Sequence, residues 1–227
     1  MEHGYTWLHD LPIPEHVATA VLVALLLLLF ALRVRPKLAN TEAALQPEHG
    51  VSARNIAEVV VEFISGLAQG VIGHDYERCV PLLAAFFVFI LLSNLIGLVP
   101  GFVPPTSNFN TTLGLGLISF LAYNAYGMRA HGVGGHLKEL LGPVVWIAPL
   151  MLVVELFSHA FRPISLGIRL FANMFADHEV VNIFTSLTKL VVPVMFYVLG
   201  AFVCVVQAFV FTMLSAIYIS LSTAHDH

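Results

Sequence analysis

Residues Arg162 to Val180 read "RPISLGIRLFANMFADHEV". The stretch sets Arg169 between Ile168 and Leu170, well inside an apolar region. What an ionised side chain costs there depends on the solvent around it, and the rest of the chain identifies that solvent. Of 227 residues, 58% are hydrophobic and 11% are charged, against roughly 25% charged in an ordinary soluble domain. The mean hydropathy of +0.87 agrees. The chain therefore reads as an all-α integral membrane protein. A net charge of −4 offers no basic surface for nucleic acid. Cys79 and Cys204, the two cysteines, lie in or beside apolar segments and read as free buried thiols rather than a disulfide or metal pair.

Working outward, the run Leu190–Ala224 holds 35 residues without a charge. As one helix it would be about 50 Å long at 1.5 Å per residue, against a hydrocarbon core of about 30 Å. Steep tilt or bending is expected. Two long helical regions are expected here, about Pro143–Ala176 and Val180–Ser222, the second bent at Pro193. Upstream, Cys79–Met128 carries no charge over 50 residues, enough for two spans joined by the turn "PGFVPPTSNFNTT". "MRAHGVGGHLKELLG" then reads as a glycine-rich cytoplasmic loop.

Ser52–Gly73 places Ile56, Val59, Val60, Phe63, Ile64, Leu67 and Val71 on one side of a helix. It fits an interfacial amphipathic helix, and equally a helix packed on the rest of the protein. Val17–Leu32 reads as the first membrane helix, closed by Arg33, Arg35 and Lys37. The acidic N-terminus lacks the basic region of a cleaved signal peptide, so this run is expected to stay as an anchor. Seven of the ten basic residues then fall on one side. The positive-inside rule makes that side cytoplasmic and the N-terminus external. The expected layout is one membrane domain, 1–227, with about five transmembrane helices. It comprises an external segment 1–16, a first helix 17–34, an amphipathic helix 52–73, a helical hairpin 79–131 and a long tilted hairpin 143–222.

Glu155, His159, Arg162, Leu166, Arg169, Asn173 and Asp177 are spaced by three or four residues. At about 100° per residue, all seven fall within about 40° of one line on a helix. Six of them are polar or ionisable. Ionisable groups inside a membrane usually face a bundle interior or a watery cavity and mark ion pathways. A stripe that merely joins helices by hydrogen bonds is the rival reading, and the number of ionisable groups in register argues against it. Arg169 stays protonated at any working pH and acts as a fixed charge. Glu155, His159, Asp177, His178 and Glu179 can exchange protons, and His178 suits this best. "HEVVN", His178 to Asn182, imitates the zinc motif HExxH but has Asn182 where the second histidine belongs. No metal or cofactor is expected.

Three further segments decide the family. "SLGIRLFANMFA", "LLSNLIGLVPG" around Asn94 and "VQAFVFTMLSAIYIS" around Gln207 occur in that order. Over roughly Ser52 to Ser222 the chain closely resembles subunit a of the F-type ATP synthase. The resemblance implies the stator half of a rotary ion motor in a bacterial inner membrane. Its partners would be a ring of c subunits, the peripheral-stalk b subunits, the remaining subunits and lipid. The ATP chemistry would lie elsewhere, so no catalytic site is implied here. Two offset aqueous half-channels would load and unload ring carboxylates with an ion read as the proton. By resemblance, Arg169 faces the ring carboxylate and separates the half-channels. Asn173 and Gln207 line the outer half-channel, and Glu155 lies towards the cytoplasmic one with Ser158 or His159. His178 matches a position held by glutamate or histidine in the family. The usual titratable counterpart on the last helix falls near Gly200, and Asp177 or Glu179 is expected to supply the missing acid. A self-contained channel or secondary transporter is the alternative. It would work without a ring and often shows internal repeats, and none is evident here.

Overall fold

The computed structural model describes residues 12–39, 52–73, 75–141, 148–187 and 191–223. The expected external segment up to residue 11, most of the polar linker after Ala39, and Lys189 lie outside them. Six α-helices occur among the described residues: α1 (Glu15–Ala39), α2 (Ala53–Ile72), α3 (Val80–Ile96), α4 (Phe109–Leu141), α5 (Ala148–Leu187) and α6 (Val191–Thr223). No strand occurs among them, as expected for an all-α membrane protein. α1, α2, α5 and α6 are long and apolar enough to cross a membrane by length and composition, and α3 is apolar but shorter.

α6 is the hub, packing against α2, α3, α4 and α5. Cys204, Ala208, Phe211, Ala216 and Ile219 form its buried side. They meet Ile64 and Ala68 of α2, Leu83, Phe86 and Ile90 of α3, and Leu166, Leu170 and Met174 of α5 in one core. Phe86 and Phe211 meet edge to face at 5.5 Å, a geometry favoured by the aromatic quadrupole. α1 stands to one side and leaves Val21, Leu25, Leu28, Leu29 and Leu32 exposed, which suits contact with lipid.

α2 combines both readings of its pattern. Ser52 caps it, its Oγ accepting from the Asn55 N–H at 3.3 Å. Ile64 and Ala68 are buried, with Val60, Leu67 and Val71 packed beside them. Ile56, Val59 and Phe63 stay exposed. One edge of the apolar side is packed, and the other is free for a membrane.

Several expected boundaries move. The glycine-rich loop after Met128 is helical as far as Leu141, interrupted at Gly132 with φ 73°. Residues with a Cβ rarely adopt that backbone. The charged "ADHEV" does not end the first long helix, since none of its residues breaks a helix. α5 runs on to Leu187, and α6 begins at Val191. Pro163 lies inside α5. Pro193 sits in the first turn of α6, where its missing N–H goes unneeded. At 40 residues, α5 is about 60 Å long. That is twice the hydrocarbon thickness, so the tilt argument applies more strongly to it.

The α4–α5 contact depends on two glycines. A Cβ on Gly167 would lie 3.0 Å from Leu113 Cα, and one on Gly116 would run into the Pro163 carbonyl. Backbone atoms cannot swing aside, so these positions set the helix separation. Gly116→Val is expected to destabilise the protein by about 1–3 kcal/mol. Gly114→Val, whose Cβ meets nothing within 4 Å, should change little. Thermal midpoints in detergent check this, and equal midpoints for the two variants would contradict it.

Candidate functional site

α5 delivers every ionisable residue of the predicted stripe, but the stripe does not face one way. His159 and Arg162 are largely covered, at 14% and 21% side-chain exposure. Leu166 is buried, Arg169 and Asn173 are exposed, and Asp177 is half-buried. An ideal 100° step would align all seven; here the line passes from the bundle to its open flank and back.

The lower group is an ionic cluster. Nδ1 of His159 is 3.2 Å from Oε1 of Glu155, and Nη2 of Arg162 is 3.7 Å from the same oxygen. Ser158 is exposed beside them. Arg169 forms no ion pair and no hydrogen bond with any described residue. Asn173, one turn further, donates through Nδ2 to Oε1 of Gln207 on α6 at 2.8 Å. Gln207 is buried at 4% exposure, so this bond satisfies an amide oxygen that would be costly left unpaired. Two residues 34 apart in sequence are thus joined.

The upper group surrounds a small cavity between α3, α5 and α6, lined among others by Asn94, Asp177, His178 and Tyr197. The space open to water-sized spheres is about 10 Å³, room for about one water molecule. Asn94 is fully buried. Its Oδ1 accepts from the Thr106 hydroxyl at 2.6 Å, which orients the amide. Its Nδ2 has no partner among the described residues. The lining is otherwise largely apolar, and Asn94, Asp177 and His178 bring to it the polar groups, including one unpaired donor, that a single water needs. Sequence reasoning used Asn94 only as a family marker. The missed signal was an amide in an otherwise apolar helix, where a polar group is costly without a partner.

Asp177 and Glu179 are not equivalent. Oδ2 of Asp177 lies 2.6 Å from the point where a Cβ of Gly200 would stand. Its carboxylate therefore occupies the ground that a side chain at position 200 would take. Glu179 is exposed and is not among the cavity's lining residues. No group of three or more His, Cys, Asp or Glu among the described residues is placed to hold a metal ion.

Residues 17–220 match the family model described as ATP synthase A chain. "ATP synthase subunit a" of Bdellovibrio bacteriovorus is 45% identical over 212 residues, covering 93% of each chain. "ATP synthase subunit a" of Koribacter versatilis is 42% identical over 216 residues, covering 95% of this chain and 85% of the relative.

The Gly200 contact makes a specific demand. Gly200→Ser is expected to lower the thermal midpoint by displacing the Asp177 carboxylate, and Asp177→Gly should relieve the loss. A coupling of about 0.5–3 kcal/mol is the range for residues in contact. Simple additivity of the two changes would show that they do not share the space.

Proposed function

The chain belongs to the ATP synthase A chain family, and from that membership we propose that it is the ion-translocating stator subunit of the complex. As a member it is a component of the ATP synthase and a multi-pass membrane protein. The chain faces the c-ring, is bound by the peripheral-stalk b subunits and carries two half-channels that meet on either side of Arg169.

The observation that supports this best is the isolation of Arg169. Glu155 and Arg162 neutralise each other within the chain. Arg169 is exposed on a flank that also exposes Ile168 and Phe175, and α6 exposes Val198, Phe202 and Val206. A cation among apolar side chains, without a partner of its own, suits a carboxylate that arrives from another subunit. As each ring carboxylate passes, the fixed guanidinium favours its ionised form and so drives release of the proton before that point. The same charge repels a proton crossing directly from one half-channel to the other.

The outer half-channel would run past Asn94, His178 and Asp177 to the Asn173–Gln207 pair. The cytoplasmic one would leave past Glu155, with His159 and Ser158 at its side. Asp177 is the acid that stands in for the titratable residue absent at Gly200. The N-terminus lies outside and the C-terminus in the cytoplasm, with Arg33, Arg35, Arg78 and Arg129 on the cytoplasmic side. Moving one charge through 100 mV is worth about 2.3 kcal/mol. Several ions must therefore be summed mechanically for each ATP, which a ring turning past one fixed arginine achieves.

Arg169→Ala in the assembled enzyme is expected to abolish ATP-driven proton pumping, and full coupled pumping would sink the proposal. His178→Ala should slow proton flux without blocking assembly. Unchanged flux across about pH 5 to 8 would remove His178 from the path. The purified chain alone in liposomes should show no selective transport; if it does, the self-contained transporter is the better reading.

A further inference from the structure

Arg162, seven residues before Arg169 on the same helix, has a very different setting. Its guanidinium carbon is 5.6 Å from the ring centre of Tyr123 on α4 and 5.5 Å from that of Tyr218 on α6. Both are within cation–π range. The two rings lie 6.0 Å apart, so α4, α5 and α6 converge on one cation. Tyr123 is fixed in turn, buried to 1% exposure, with its backbone carbonyl accepting from the Ser222 hydroxyl at 3.0 Å.

The clamp bears on Glu155. Arg162 Nη2 and His159 Nδ1 both approach Oε1 of Glu155. Oε1 is thus the anchored oxygen of the Glu155 carboxylate. The Glu155 side chain is 37% exposed, against 21% for Arg162. The cation is the anchored partner and the carboxylate is the one that reaches the open side. A guanidinium suits this task because its planar face stacks on the rings while its edge still offers N–H donors.

We propose that Arg162, held between Tyr123 and Tyr218, is a positioning residue of the ion path. It anchors Oε1 of Glu155 and so presents Oε2 as the acceptor for the passing proton. The proton binds Oε2 and leaves from it, and Glu155 ends each passage as it began. This inference rests on the stator reading and adds to it a residue that touches neither the ring carboxylate nor the proton.

The test is ATP-driven proton pumping by inverted membrane vesicles containing the whole complex. Arg162→Met keeps the side-chain stem and removes the charge, so it should lower pumping several-fold. Glu155→Gln should also lower it. The double variant should pump no worse than Glu155→Gln alone, because an anchor with nothing to anchor has no effect. A purely structural Arg162 would instead give losses that multiply. Wild-type pumping by either single variant, or multiplied losses, would overturn the proposal. If Arg162→Met fails to assemble, the same cycle is run with Tyr218→Leu, which loosens the clamp and leaves the charge; a loss that vanishes in the Glu155→Gln background supports the anchor, and one that persists overturns it. Arg169→Ala in parallel separates the two levels. Pumping by that variant defeats the stator reading. Blocked pumping there, beside normal pumping by Arg162→Met, defeats only the anchor.

Discussion

An ionised side chain away from water must find a partner or a use, and the arrangement of α5 follows from that constraint. Each such group at the bilayer centre costs about 2.5–3.5 kcal/mol on insertion scales. The helix answers in three ways along its length. Glu155 and Arg162 neutralise each other, with His159 beside them. Asp177 and His178 share the wall of a small cavity with Asn94. Arg169 does neither and keeps its charge exposed. Only the third answer leaves a charge to be met from outside the chain.

The rest of the fold holds these groups in place. α6 contacts four other helices, so its Gln207 and Tyr218 are rigidly presented to α5. Gly116 and Gly167 let α4 come close enough for Tyr123 to reach Arg162. The turn after α3 is folded inward, with Pro104, Pro105 and Thr106 buried, and Thr106 then orients the Asn94 amide. A polar group on each supporting element is set by packing at some distance from it, which is how small side-chain networks inside a membrane keep one geometry.

Most of the architecture was legible because it depends on composition and length. Charge-free runs marked the apolar helices, and the prolines of 100–105 marked the turn. Helix ends were less legible. "ADHEV" looks like an interruption because it is charged, yet charge does not stop a helix, and α5 passes through it to Leu187. In the site, periodicity found the residues of α5 but not their directions, since an ideal step ignores the packing that turns Arg169 and Asn173 to the open flank. Residues on other helices were beyond the reach of any local pattern. Gln207 entered only through family resemblance, and its bond to Asn173 only through the fold. Tyr123 and Tyr218 look like ordinary core aromatics until the fold brings Arg162 between them. That Asp177 fills the space beside Gly200 was not legible either, since a missing side chain becomes informative only when its neighbour is known.

Cys79 and Cys204 are free thiols at 3% and 0% exposure. Sealed in the core, they are shielded from water-soluble alkylating and disulfide-forming reagents. The chain is thereby a ready background for chemical mapping. A cysteine introduced at an exposed position of α5 or α6 would be the reactive thiol, so water accessibility can be traced along the helices without first rebuilding the interior.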